Sequence, residues 1–342
     1  MRRTGRGAVP VLTDTHVSLA HGNGGRFMRE LIEEIFVRHL GGLDAQADAV
    51  PVTIDGEAMI TTDGFTVQPL EFPGGDIGSL AVHGTVNDLA VAGARPRILT
   101  LNAFIEEGLE IVLLDRIVAS LARAAAACGV SVVAGDTKVL RRGEGGGLYL
   151  ATTGVGSRIA AAVRPALANV REGDAVILSG TIGDHGTAVM LAREEFDLRG
   201  ELYSDSAPVI DLCEALLSFP GLRFMRDPTR GGIASVAHEI RRATGFGITF
   251  GANLPISEPV QAVCDMLGYD PCYLASEGRV FAVIDAAEAD AAVARLHECA
   301  GGTGAVIAGT VTRDGARITL RTELGGERFL EELEDDPLPR IC

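Results

Sequence analysis

Short apolar runs rich in β-branched residues alternate with longer helical patterns, and the alternation occurs twice, on either side of a polar connector at residues 164–174. Such a double alternation restricts the chain to two α/β units, since each strand–helix pair needs a neighbouring pair to cover its apolar face. In the first unit strands are predicted at 58–61, 98–101, 131–134 and 148–152, with helices at about 77–92 and 111–127. In the second the strands fall at 175–179, 247–250, 280–284 and 305–308, and the helices near 186–196, 207–218, 232–243, 258–267 and 288–299. A length of 342 residues suits two domains at about 150 residues each. A hydrophobic fraction of 47% supplies two cores and argues against wholesale disorder.

The chain divides at 1–40, 41–160, 161–322 and 323–342. Residues 1–20 read as a lead-in, and Gly22-Asn23-Gly24-Gly25 opens a helix with Phe27, Leu31, Ile35 and Phe36 on one face. At the other end Gly325-Gly326 marks a hinge, the acidic stretch 327–336 reads as one short helix, and Pro337-Leu338-Pro339-Arg340-Ile341-Cys342 must be extended. The sixteen residues after Gly326 span about 50 Å when stretched at about 3.3 Å each. That is enough to swing a terminal thiol from solvent into a cleft.

Charge narrows the function classes. The net charge is −16 with no Lys/Arg-rich run to offset it, and Trp is absent with only four Tyr, so a nucleic-acid partner is not expected. No apolar stretch reaches the roughly 18 residues of a membrane span. The basic start, Met1 to Gly7, is not followed by the apolar segment of a signal peptide. A soluble cytoplasmic protein is expected. The six cysteines show no CxxC or His/Cys ligand spacing, which excludes a disulfide framework and a structural zinc site. Cys342 differs from the others in being the last residue.

Four acidic residues sit beside apolar runs or turns: Asp63 in Thr61-Thr62-Asp63-Gly64, Asp88 after Asn87, Asp136 before Thr137-Lys138, and Asp227 in Arg226-Asp227-Pro228-Thr229-Arg230-Gly231-Gly232. Asp63 and Asp136 each follow a predicted strand, where open α/β sheets bind ligands. Hard oxygen ligands there suit Mg²⁺ bridging nucleotide phosphates, although Asp also caps helices and makes turns. No Walker P-loop is present, so ATP, if bound, is held another way. Gly22-Asn23-Gly24-Gly25 presents backbone N–H groups suited to phosphate, or simply turns the chain. Lys138 suits a γ-phosphate or a developing oxyanion, or else a solvated strand end. Glu277 suits a general base, or a surface carboxylate paired with Arg279. His83 and His185 read as core histidines.

Taken together, these motifs resemble the HypE family of hydrogenase maturation factors, in the superfamily of aminoimidazole ribonucleotide synthetase and selenophosphate synthetase. The resemblance runs from about His21 to Cys342 and is carried by His21-Gly22-Asn23-Gly24-Gly25, Thr61-Thr62-Asp63-Gly64-Phe65, Phe72-Pro73-Gly74-Gly75-Asp76-Ile77-Gly78 through Asn87-Asp88-Leu89-Ala90, Gly135-Asp136-Thr137-Lys138-Val139, the Arg226–Gly232 motif and the terminal Pro339-Arg340-Ile341-Cys342. Cys272 and Ser276 depart from the family pattern before Glu277. The resemblance implies two α/β domains of the aminoimidazole ribonucleotide synthetase type, with 41–160 binding ATP and forming a homodimer, and with 323–342 as a flexible tail. It implies that a HypF-like carbamoyltransferase loads Cys342, and that ATP then drives dehydration of the S-carbamoyl group to a thiocyanate. It implies that the cyano group then passes to iron on a HypC–HypD complex. It further implies Asp63, Asp88, Asp136 and Asp227 as Mg²⁺ and phosphate ligands. Gly22, Asn23, Gly24, Gly25, Thr137, Lys138 and His83 would be nucleotide contacts, with Cys342, Glu277 and Lys138 catalytic. Two other readings compete: an ATP-dependent synthetase of the superfamily acting on a free small molecule, and a non-catalytic carrier presenting Cys342.

Overall fold

The computed structural model describes residues 12–43, 47, 49–160, 163–194, 202–313, 316–322 and 324–333. Helix α1 (Arg26–Leu31) continues through a π-helical stretch, Ile32–Val37, into α2 (Arg38–Leu40). Leu31, Ile35 and Phe36 are buried as expected. Phe27 is not: it is 39% exposed, its ring under the Arg26 guanidinium at 4.7 Å and tilted against His21.

The first unit follows as β1 (Ala58–Phe65), β2 (Glu71–Phe72), β3 (Gly75–Asp76), α3 (Ile77–Val91), β4 (Ala94–Glu106), α4 (Ile111–Ala127), β5 (Ser131–Leu140) and β6 (Leu148–Arg158). Its main sheet has the order β1-β6-β4-β5. Helices α3 and α4 cover one face, and the other is bare, with Ile60 72% and Phe104 37% exposed. That bare face explains why β1, β4 and β5 outrun the apolar runs that announced them. Alternate positions face solvent, so Asn102, Asp136 and Lys138 extend the ladder without being buried. Asp63 and Asp136 therefore lie inside strands, not after them. Helix α3 is buried nearly all round, because it is wedged between this sheet, α4 and the second unit.

The second unit comprises β7 (Ala175–Leu178), α5 (Asp184–Glu194), α6 (Ile210–Leu217), β8 (Leu222–Arg226), α7 (Gly232–Thr244), β9 (Gly247–Phe250), α8 (Glu258–Leu267), β10 (Phe281–Ile284), α9 (Ala289–His297), β11 (Val306–Thr312), β12 (Ile318–Arg321) and β13 (Glu327–Phe329). Its seven-stranded sheet has the order β13-β12-β9-β11-β7-β10-β8. One face packs on Ile233, Val236 and Ile240 of α7; the other packs on Leu212 and Leu216 of α6 and Leu296 of α9. Ala90 and Val91 of α3 enter that second core, while Ala188, Val189 and Val260 of α5 and α8 enter the first unit's core. The seam between the units is therefore dry.

Residues 327–329 correct the sequence reading. They form a strand rather than the start of a helix, with Arg321 opposite Glu327 and Thr319 opposite Phe329, because an adjacent edge strand offers the backbone partners that a short acidic helix lacks. The ordered sheet thus extends past 323 into the segment expected to be tail. Among the described residues, five cysteines are free thiols, and no helix is long and apolar enough to cross a membrane.

Candidate functional site

Thr61, Asp63 and Phe65 alternate onto the helix-covered face of β1, where Gly84 of α3 admits them. A β-carbon on Gly84 would meet the Phe65 ring at 2.9 Å and Asp63 Oδ2 at 3.6 Å. One turn on, Asp88 accepts the Thr61 hydroxyl hydrogen bond at 2.8 Å. Asp227 comes to the same place from the end of β8, and Glu277 from the segment before β10. The two loops are tied together: Ser276 N–H donates to the Pro228 carbonyl at 3.0 Å, and Gly232 fits so closely against the Cys272 and Leu274 carbonyls that a β-carbon would sit 2.6 and 2.7 Å from them.

Burial sets the electrostatics of this cluster. Glu277 is 3% exposed, and burial first, then the charges of Asp227, Asp205, Asp63 and Asp88, pushes its carboxyl well above the usual carboxylate range. Burial and neighbouring Asp88 push Asp227 up to about 7. Asp88 is also raised by desolvation, moderated by the Thr61 hydroxyl. Asp63 stands at the rim and is raised by the same cause, moderated by its bond from Gly64 N–H at 2.8 Å. Carboxyls raised by burial in a seam between domains are suited to exchanging protons with a substrate.

The segment 204–209 locks this arrangement. Asn87, 1% exposed, donates to the carbonyls of Ala207 (3.0 Å) and Glu277 (2.9 Å) and accepts from Val209 N–H at 2.9 Å. Asp205 accepts Glu277 N–H at 3.0 Å and faces Arg279 at 3.4 Å; its burial raises it to about 6. Arg279 lies at ion-pair distance from Asp205 and donates its hydrogen bonds to the carbonyl and hydroxyl of Thr181, so it is not a surface partner of Glu277. His83 meets Ser206 Oγ at 3.0 Å, and burial lowers its ring to about 4, so it is a neutral fixture of the seam. His185 is likewise buried, against Ser204 and the Phe72 ring. Ser276 Oγ accepts Gly183 N–H at 2.9 Å. Asp205 was invisible in the sequence, because its contact to Glu277 spans 72 positions and no motif surrounds it.

A second group lies elsewhere. Asp136 and Lys138, two apart on β5, share the bare face and pair at 2.7 Å with both side chains more than half exposed. Gly22, in the turn before α1, packs on Val139 of the same strand. Between α1–α2 and β5 is a cavity of about 280 Å³ lined by Met28, Ile32, Phe36 and Val132, with Asp136 and Thr137 at one end. The Thr137 hydroxyl is buried there without a hydrogen-bond partner. In the sheet, Asp63 lies opposite Thr152 and then Leu101 and Gly135. Asp63 and Asp136 thus occupy opposite edges and opposite faces, about 14 Å apart across three strand spacings. One chain brings Asp63, Asp88, Asp227 and Glu277 together and leaves Asp136, Lys138 and the glycine turn apart. Among the described residues no three His, Cys, Asp or Glu side chains are gathered closely enough to cage a metal ion. Cys342 lies outside the described residues.

Residues 46–157 match the family AIR synthase related protein, N-terminal domain, and residues 171–321 its C-terminal domain. The carbamoyl dehydratase HypE of Rhodobacter capsulatus is 44% identical over 339 residues, covering 97% of this chain and 99% of that protein. A crystal structure of HypE in complex with ATP superposes with a TM-score of 0.90 at 39% identity, covering 95% of this chain and 99% of that one. HypE in a HypE–HypF complex superposes with a TM-score of 0.78 at 38% identity, covering 90% and 100%. With both domains matched and relatives aligned nearly end to end, the chain belongs to the HypE carbamoyl dehydratase family of AIR synthase related proteins.

Proposed function

We infer that this chain is a carbamoyl dehydratase of hydrogenase maturation, which uses ATP to convert an S-carbamoyl group on Cys342 into a thiocyanate. The observation that carries the chemistry is Glu277, a buried carboxyl raised well above the usual carboxylate range by burial and by the charges of four aspartates at the domain seam. An amide oxygen is a poor leaving group. Its attack on the γ-phosphorus of ATP releases ADP and leaves an O-phosphorylated imidate, with one N–H proton lost. Departure of the second N–H proton, with cleavage of the C–O bond, releases phosphate and leaves S–C≡N. Glu277 accepts a proton from nitrogen. Asn87 and Asp205 fix its backbone from both sides.

The nucleotide is assigned to the β5 edge. The turn Gly22-Asn23-Gly24-Gly25 would give N–H groups to phosphate by exchanging its present bonds, Asn23 N–H to the Ala20 carbonyl at 3.4 Å and Gly24 N–H to Met28 Sδ at 3.2 Å, the apolar slot of about 280 Å³ suits a purine ring, and the unpartnered Thr137 hydroxyl needs a hydrogen-bonding ligand. In this reading Lys138 meets a phosphate once its pairing with Asp136 opens. The donor set also fits a divalent cation. Mg²⁺ takes one or two carboxylates and completes its shell with water and phosphate, and Asp88 with either Asp63 or Asp227, both of which its charge helps to raise, would hold it. Bound there, it neutralises phosphate charge. A second copy completes the site in this reading: two bare sheet faces related by a twofold axis along the strands set the β5 edge of one copy over the β1 edge of the other. The homodimer accounts for the exposed Ile60 and Phe104. Partners are a HypF-like carbamoyltransferase, as the HypE–HypF complex of a relative supports, and a HypC–HypD complex that accepts the cyano group, all in the cytoplasm.

Intact-protein mass spectrometry after incubation with a HypF, carbamoyl phosphate and ATP tests the reading, with Cys342→Ala alongside. A carbamoyl adduct on Cys342 that loses one water is expected. An adduct that never dehydrates leaves a carrier, and no adduct points to a synthetase acting on a free small molecule.

A further inference from the structure

The chain leaves the C-terminal sheet through a built anchorage. Beyond the β13 pairing, Leu330 is 1% exposed and its N–H donates to the Ile318 carbonyl at 3.0 Å. Its own carbonyl accepts from Nε2–H of His238, a buried residue of α7, at 2.9 Å. The next carbonyl, of Glu331, accepts the Tyr273 hydroxyl hydrogen at 2.7 Å. Exposed ion pairs flank these bonds, Arg328 with Asp270 at 2.5 Å and Arg242 with Glu332, but such pairs are weakly held. Two consecutive carbonyls fixed by two side chains, with a buried leucine beneath them, are the firm part of the anchor.

Both side chains come from elements that also carry site acids. Helix α7 begins five residues after Asp227, and Tyr273 lies four residues before Glu277. Gly232 at the head of α7 packs against the Cys272 and Leu274 carbonyls, so the two elements form one rigid frame.

We propose that His238 and Tyr273 are positioning residues for the dehydration, pinning the root of the acceptor segment to the frame that holds Asp227 and Glu277, so that only the residues after Glu331 are left to carry the thiol. The proposal rests on the reading of Cys342 as acceptor. The eleven residues 332–342 reach about 36 Å at full extension, whereas release from Glu327 onward frees sixteen and about 50 Å. The effective concentration of a tethered group falls roughly as the −3/2 power of tether length, so release lowers the thiol's presence at the site by up to roughly twofold.

The test uses the full-length protein carbamoylated at Cys342. The double variant His238→Ala/Tyr273→Phe is compared with wild type in hydrogen exchange at the Leu330 amide and in single-turnover dehydration with ATP. Faster exchange, a turnover slower by up to roughly twofold and an unchanged half-saturation by ATP are expected. His238→Gln, whose side-chain N–H can still reach the Leu330 carbonyl, restores both readouts. Tyr273→Phe alone, lacking one hydroxyl, shows a smaller change of the same sign if the double variant does not fold. Faster exchange with a wild-type rate overturns the proposal, as does exchange that stays as slow as in wild type. If carbamoylated wild-type protein itself loses no water, the acceptor reading falls; a defect confined to the variants, or its absence there, speaks to the anchor alone.

Discussion

The β5 edge and the domain seam use the same side-chain chemistry in opposite settings. At the edge, Asp136 and Lys138 are mostly exposed and pair in solvent, an arrangement that contributes little stability and breaks readily. At the seam, Asp227 is 7% and Glu277 3% exposed, with acidic neighbours, an arrangement that costs stability whenever the carboxyls ionise. The contrast separates two jobs. A group that must let go of one partner to take hold of a phosphate belongs in water; a group that must hold or take a proton near neutral pH belongs in a dry seam.

The sharpest test of that division is Glu277→Gln, which keeps the shape and removes the proton acceptor. Single-turnover dehydration of the carbamoylated protein is expected to fall by about 10²–10⁴-fold, while the melting temperature holds or rises. A variant within about tenfold of wild type would move the base elsewhere. Next in size is Gly278→Ala. A β-carbon there would collide with the Asp205 carbonyl oxygen and crowd Ala207 N, so a loss of about 1–3 kcal/mol is expected from overpacking. It would be read as a lower urea midpoint at unchanged m, and an unchanged midpoint would mean that the 205–209 lock yields.

How far these regions were legible in the sequence follows from the range of their contacts. Glu277, Asp227 and Asp63 were found because each sits in a local motif with glycine or proline beside it. Asn87 was part of such a motif, yet its clamp on Ala207 and Glu277 joins positions 120 and 190 apart and leaves no local trace. Asp205, His238 and Tyr273 have no local signature at all. Asp136 and Lys138 were each singled out but assigned to a strand end, because a polar residue ordinarily closes an apolar run; on a bare sheet face it merely alternates. Strand β13 was misread for a related reason, since three acidic-segment residues become a strand only when β12 supplies the partner.

Asp227→Asn tests whether the seam's acids are held against a stability penalty. Its folded carboxyl titrates near 7 against an ordinary 3.8. Below about pH 4 the carboxyl is protonated in both folded and unfolded chains, and the substitution gains nothing from charge. As pH rises from about 4 to about 7 the unfolded chain ionises first, so the native protein loses stability relative to Asn, and above about 7 that loss is complete. In chelator-treated protein Asp227→Asn is expected to be more stable than wild type at pH 8, on the order of 1–3 kcal/mol, and to lose that advantage at pH 4. A difference independent of pH would trace the effect to packing instead.

The smallest expected change in stability belongs to the edge. Lys138→Ala removes one partner of a solvent-screened pair, so without nucleotide its stability should match wild type within about 0.5 kcal/mol. With ATP the comparison changes. A ligand at 100 times its dissociation constant stabilises the native state by about 2.7 kcal/mol. If Lys138 meets a phosphate, the variant should show a much smaller rise in melting temperature on adding ATP at a concentration that saturates wild type. An equal rise would confine Lys138 to its pairing with Asp136. A loss above about 1 kcal/mol without ATP would exceed what an exposed pair contributes, and the division between a releasable edge and a buried seam would then fail at the residue on which it most depends.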